Sequence, residues 1–214
     1  MTFDKFKNLY TNIQNLPLPG ETSQLKMAPA TRLVELKHLS KQNNTCRKAG
    51  VMALFYGKEE IKLALIRRTS DGSVHSGQIA LPGGEKEEAD ASLLDTAKRE
   101  MYEEVGVKAD SYEIIRPLTD IYIPPSNFYV QPYLAFSSKT PEFNRQEKEV
   151  AEILEVPLDL LLDDEYIINK ELKSAYNTII EVPAFEFYGH IVWGATAMIL
   201  YEIRDLVKHV QQLA

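Results

Sequence analysis

Residues 91–105 carry two patterns at once, and together they restrict the fold more than any other part of the chain. Leu94, Ala97, Met101 and Val105 recur at intervals of three or four, the spacing of a buried helical stripe. Glu100, Glu103 and Glu104 fall within one turn on the neighbouring side of the same helix. Such a helix has to dock its stripe on a second layer of structure while its carboxylates face a cleft or solvent. Like charges at this spacing repel by roughly a few tenths of a kcal/mol per pair. Mg²⁺ or Mn²⁺ would compensate them, because a hard cation takes carboxylate oxygens and keeps positions for water and phosphate oxygens. An ordinary solvated acidic face is the plainer alternative.

The neighbours of the carboxylates add to the metal reading. Leu81-Pro82-Gly83-Gly84 places a glycine turn upstream, Arg99 stands four residues before Glu103 and can orient it by a charge-assisted hydrogen bond, and Gly106 supplies the helix stop. Asp90 is expected to be the N-cap of the helix, since its side chain can accept from first-turn amides.

The chain of 214 residues is 44% apolar, enough for one well-filled core. Residues 1–30 read as an N-terminal helical extension and 31–214 as the main domain. The single cysteine, Cys46, excludes an internal disulfide and a cysteine-based zinc site, so a reducing cytoplasm is expected. No signal peptide or membrane span is visible, the most apolar run, residues 191–200, being too short. A net charge of −7 argues against nucleic acid as a partner, since nonspecific binding relies on Lys and Arg neutralising phosphates. A small phosphorylated substrate stays compatible with it, because Arg47-Lys48 and Arg67-Arg68 can make a locally positive cleft, although each pair also reads as a solvated strand end.

Periodicity predicts a helix over residues 3–13, whose amphipathic pattern would serve dimerisation or cover the cleft, and a helix or strand over 31–40 before a basic linker at 41–48. Paired strands are expected at 49–56 and 61–67, a polar loop at 69–78, and strands at 112–117, 118–123, 129–136 and 150–156. A short helix at 158–162, a strand over 177–187 interrupted at Pro183, and a closing helix at 193–212 complete an α/β chain.

The segment from Gly84 to Val107 resembles the Nudix hydrolase signature, G-x₅-E-x₇-R-E-U-x-E-E-x-G-U, with U a bulky apolar residue. Arg99 to Val107 match without a gap, whereas Asp90 stands in place of the first glutamate and eight residues separate it from Arg99. The resemblance implies an α/β/α sandwich with a mixed central sheet. It further implies Glu100, Glu103 and Glu104, with Gly84, as the metal set, and hydrolysis of a phosphoanhydride with Mg²⁺ or Mn²⁺. Divalent cations relieve the repulsion between a nucleophile and phosphate oxygens and lower the pKa of bound water. A general base is also required. The resemblance points to a downstream glutamate, for which Glu149 is favoured over Glu147, so that Glu149, Glu103 and Arg99 form the catalytic set; both glutamates also read as surface charges.

Residues 64–84 are similar to the further signature of the coenzyme A pyrophosphatase branch, L-L-T-x-R-[SA]-x₃-R-x₃-G-x₃-F-P-G-G. Leu65, Arg68, Gly77, Pro82, Gly83 and Gly84 match; Ala64, Ile66, Thr69, Ser73 and Leu81 depart, and Ser73 replaces an arginine whose guanidinium fork suits phosphate oxygens. His75, Gln78, the extra residue before Arg99 and the run from Gly189 to Ala197 are also typical of the branch. His75 by itself reads as a loop histidine. Arg47, Arg68, His75 and Gln78 are then expected to bind a nucleoside diphosphate, with coenzyme A or an acyl derivative as the favoured substrate. ADP-ribose hydrolysis on the same machinery, and a catalytically silent nucleotide sensor, are the alternatives.

Overall fold

The computed structural model describes residues 1, 6–7, 12–30, 32, 46–70, 72, 75–174 and 177–213. Strand β1 (Arg47–Tyr56) is its axis. Ala49, Ala53 and Phe55 enter the larger apolar cluster, while the alternate residues Met52, Leu54 and Tyr56 enter a second one on the other face. This is the two-residue period of a strand covered on both sides.

β7 (Phe128–Ser137) runs parallel to β1 along its full length, from Arg47↔Phe128 to Tyr56↔Ser137. On the other edge β1 meets β4 (Gly83–Glu85) through Ala49↔Glu85 and β2 (Lys62–Arg68) through Phe55↔Leu63, both antiparallel. β2 also pairs with β3 (Ile79–Ala80) and with β8 (Val150–Pro157), and β7 carries β5 (Glu113–Pro117) and β6 (Ile121–Ile123). The central sheet is therefore mixed. A second, antiparallel sheet orders β9 (Ile167–Lys173), β10 (Ile179–Phe187) and β11 (His190–Trp193) as β11-β10-β9.

The helices with defined bounds are α1 (Glu21–Gln24), α2 (Leu93–Val105), α3 (Leu158–Leu162) and α4 (Gly194–Leu213). α2 buries Ala97, Met101 and Val105 with Met52, Leu54 and Ala135 of the sheet, as its stripe requires. Full burial of a large apolar side chain stabilises by about 1.5–3 kcal/mol. α4 buries Met198, Leu200, Ile203, Leu206, Val207 and Val210 in the larger cluster. The expected α/β sandwich with a mixed sheet is thus what the chain forms. Among the described residues no helix is long and apolar enough to cross a membrane.

In the segment expected as a helical extension, residues 6–7 and 12–15 are helical, and Phe6, Ile13 and Met27 are buried in the larger cluster. α1 and the turn after it are tied to α4 by Gln24 Nε2 donating to Glu202 (3.0 Å) and by Lys26 Nζ donating to Asp205 (2.7 Å). Residues 2–5, 8–11, 31 and 33–45 lie outside the described residues, and with them most of the helix expected at 3–13, the helix or strand at 31–40 and most of the linker.

Several strands differ from expectation. β10 passes through Pro183 without interruption, because its pairing to β11 begins only at Ala184, leaving one side of the proline with no ladder partner to lose. The strand expected at 118–123 starts at Ile121: pairing to β7 ends at Pro117↔Tyr133 and resumes only at Ile121↔Val130, and between them Leu118 O accepts from the Gln131 side chain and Thr119 is engaged by Glu202. β3, β4 and β11 are too short to show a period, and β9 is largely exposed along its length, so its sequence carries little apolar alternation.

Candidate active site

Ser92 is the N-cap of α2, its side chain accepting from the Asp95 amide at 3.2 Å, and Gly106 ends the helix in the left-handed conformation at φ 76°. The expectation that Asp90 caps this helix is corrected. Asp90 is buried and accepts from Arg99 Nε and Nη2 (both 3.1 Å), Thr96 Oγ1 (2.9 Å) and the Glu87 amide (2.9 Å). The Arg99 guanidinium, against the opposing effect of burial, holds its carboxyl down at about 2. Two residues too far from the first turn to cap it, Asp90 serves instead as the counter-ion of Arg99.

Arg99 is the hub of the acidic face. Its Nη1 donates to Glu100 Oε1 and Glu103 Oε2, each at 2.8 Å, and its Nη2 to the Glu85 carbonyl at 3.0 Å. One planar group therefore orders two of the three expected metal ligands and ties α2 to β4.

Glu104 is 1% exposed and accepts from the Gly83 amide at 2.8 Å, with Arg68 Nη1 3.5 Å away. Burial pushes its carboxyl up to about 8, and the Glu100 and Glu149 charges push in the same direction against Gly83 and Arg68. Burial also raises Glu100, with Arg99 opposing and the charges of Glu103 and Glu149 adding to the rise. Glu149 thus stands within electrostatic reach of both Glu100 and Glu104. Its loop is strapped to the C-terminal turn of α2, where the Asn144 amide donates to Val105 O and the Gln146 amide to Glu104 O, both at 2.9 Å. Those carbonyls have no partner within the helix, so the loop that satisfies them also delivers Glu149 to the carboxylate face.

Hard oxygen donors whose negative charge is disfavoured by burial and by one another fit a divalent cation, which would offset both effects. Among the described residues no group of three His, Cys, Asp or Glu side chains is already gathered as a metal cage, because Arg99 engages Glu100 and Glu103 while Gly83 engages Glu104. Gly84 lies against the Glu100 carboxylate. A Cβ there would lie 2.3 Å from Glu100 Oε1, so only glycine lets the carboxylate sit where it does. Gly84→Ala is expected to displace Glu100; with Glu100 as one of the expected metal ligands, Mg²⁺ affinity by titration calorimetry should then fall about 10–100-fold with the melting temperature little changed.

Arg47, Arg68, His75, Gln78 and Gly84, although spread over β1, β2, a loop and β4, line one cavity of about 730 Å³. His75 Nδ1 lies 3.1 Å from Gln78 Oε1, and the Arg68 amide donates to Gln78 O at 3.0 Å, which fixes the loop beside β2. Ser73 lies outside the described residues. Glu100, Glu103, Glu104, Glu149 and Arg99 are not on the cavity wall; Glu104 adjoins it at Gly83 and Arg68, Glu100 at Gly84 and Arg99 at the Glu85 carbonyl. Sequence reasoning missed Phe128 and Ile180 as wall residues, and it placed Trp193 and Thr196 in the run from Gly189 to Ala197 that resembles the branch without giving either a role on the wall. They come from β7, β10, β11 and α4, and only chain crossing brings them together; no local spacing announces them.

The NUDIX domain family matches residues 46–176. This chain belongs to the Nudix family. It is similar to the uncharacterized Nudix hydrolase NudL of Pectobacterium atrosepticum, with 30% identity over 84% of this chain and 88% of the relative. It is also similar to NudL of an Enterobacter species, with 32% identity over 73% and 81%. Among solved structures, a MutT/nudix family protein from Enterococcus faecalis shares the fold at a TM-score of 0.50 and 17% identity, covering 100% of this chain and 75% of that one. The chain is accordingly a Nudix pyrophosphohydrolase, of a class that generally uses divalent metals such as Mg²⁺. α2 is its Nudix helix.

Proposed function

We propose that this Nudix enzyme hydrolyses the phosphoanhydride of coenzyme A or an acyl-CoA, giving 4′-phosphopantetheine and adenosine 3′,5′-bisphosphate. The observation that carries this reading is the shared cavity: the branch-typical residues Arg68, His75 and Gln78 line it together with Gly84, and Arg68 also reaches Glu104 of the Nudix helix. Apolar side chains of Ile180, Trp193 and Ile199 on the same wall suit the long uncharged arm of such a substrate.

Glu100, Glu103 and Glu104, with the Gly84 backbone beside them, hold Mg²⁺ or Mn²⁺ in this proposal. A bound cation would neutralise phosphoanhydride oxygens and acidify water. Arg99 keeps Glu100 and Glu103 in position, and Arg68 binds a phosphate. Glu149 accepts the proton of the attacking water as its oxygen bonds to one phosphorus and the bridging oxygen leaves with the other. The single free cysteine, Cys46, agrees with a reducing cytoplasm.

Rates on coenzyme A, its 3′-dephospho form and ADP-ribose, compared side by side with products identified by mass, test the substrate. A charge-assisted contact to the 3′-phosphate is worth about 1.5–3 kcal/mol, so coenzyme A is expected to lead the dephospho form by about 10- to 10²-fold in kcat/KM. Equal rates on the two would overturn coenzyme A, and a lead for ADP-ribose would replace it.

A further inference from the structure

We infer that Arg47 and Phe128 form a stacking platform for the nucleobase of the substrate, with Glu85 holding the platform flat. Arg47 and Phe128 are register partners in the parallel β1–β7 ladder, and the Arg47 guanidinium carbon lies 4.1 Å from the centre of the Phe128 ring. Glu85 comes from the other edge of β1. It accepts from Arg47 Nε at 2.8 Å and, through its second oxygen, from Nη2. A bidentate carboxylate fixes the plane of the guanidinium as well as its place.

All three residues line the same cavity as Arg68 and Gly84. The Arg47 side chain is 52% exposed, so with one face on Phe128 its other face remains open to a ligand. This arrangement suits a flat π-system better than a phosphate. Two donors of Arg47 are already engaged and its charge is matched by Glu85, whereas a delocalised planar cation is a good stacking surface. Phosphate recognition then belongs to Arg68, and Arg47, read from the sequence as a positive charge, acts through its shape.

The inference rests on the nucleotide part of the function proposed above and is independent of which nucleotide is cleaved. Titration calorimetry of wild type, Arg47→Lys and Arg47→Gln with ADP, and separately with inorganic pyrophosphate, both with Mg²⁺, tests it; melting curves confirm that the variants fold. Lysine keeps the charge without the plane, and glutamine keeps a flat amide without the charge. Arg47→Lys is expected to weaken ADP about tenfold, a single base-stacking contact, and Arg47→Gln by no more than about threefold, with pyrophosphate affinity in both within about twofold of wild type. ADP affinity kept by lysine and lost with glutamine, or equal losses for ADP and pyrophosphate, would make Arg47 a phosphate clamp and overturn the platform. Wild type that binds pyrophosphate but not ADP would overturn the platform together with the nucleotide reading. ADP binding that follows the expected order in an enzyme inactive on coenzyme A would overturn only the substrate proposed above.

Discussion

Replacing Glu104 by glutamine is expected to abolish Mg²⁺-dependent turnover while making the metal-free protein more stable. Glu104 is the most buried of the acidic residues on the Nudix helix, and among the described residues it is met by the Gly83 amide and by Arg68 at 3.5 Å. Glutamine has the same shape and still accepts from Gly83, but it gives a cation no charge. Loss of several kcal/mol of transition-state stabilisation, at 1.36 kcal/mol per factor of ten, corresponds to a fall in kcat/KM of about 10²-fold or more. The stability effect has the opposite sign. The folded state holds the Glu104 carboxyl at about 8 against an ordinary 4.5, so between those values it binds more protons than the unfolded chain and metal-free stability falls as pH rises. Glu104→Gln removes that fall. Metal-free melting curves at about pH 5 and about pH 8 should converge for the variant and separate for wild type, the variant gaining on the order of 1 kcal/mol at the higher pH, about 2–4 °C at this chain length. A variant that keeps wild-type turnover would remove Glu104 from the metal set.

The second large effect is expected from Arg99→Ala. It strands Asp90, frees Glu100 and Glu103 from their shared donor, and cuts the link to the Glu85 carbonyl. Asp90 is buried, but part of what covers it is the Arg99 side chain itself, so removing that side chain also opens Asp90 to water. The loss therefore falls between an exposed pair, about 0–1 kcal/mol, and a deeply buried one, about 3–5 kcal/mol, and we expect about 2 kcal/mol, or roughly 4–8 °C in melting temperature. Turnover should fall about 10²-fold, the scale of effect that misplaced reacting groups produce. Asp90→Asn in the same chain should restore part of the stability, because the stranded charge is gone, and none of the activity, because Glu100 and Glu103 stay loose. In wild type the Asp90 contribution is present above the ordinary carboxylate value of 3.8 and is lost as pH falls through about 2; in Arg99→Ala that acid limb should disappear. Restored turnover in the double variant would mean that Arg99 acts only through Asp90.

Local chemistry was readable along the chain wherever one element carries its own signal. The stripe of Leu94, Ala97, Met101 and Val105, the stop at Gly106 and the carboxylates on the adjacent face place α2 and its acidic side without reference to any other segment, because a helix has a fixed period and its ends have fixed needs. β1 and β7 were equally legible as apolar strands. The Arg99 to Glu103 contact was legible too, being a pair four residues apart.

What residues far apart in sequence do to each other needed the folded chain. Asp90 reads as a cap until Arg99, a turn and a half along the helix, is seen to claim it. Glu149 and Glu147 were alternatives on one loop, and Glu149 is the one whose charge bears on Glu100 and Glu104. Nothing local pairs Arg47 with Phe128, which meet because a parallel ladder joins strands that periodicity can identify but not align. Helical spacing thus determined the acidic face, and the signature that residues 84–107 resemble pointed to the family, while strand pairing and a loop that caps carbonyls of α2 decided which charges and which cavity that face meets. The first depends on a period of a few residues carried within one segment; the second on long-range register, which no single segment encodes.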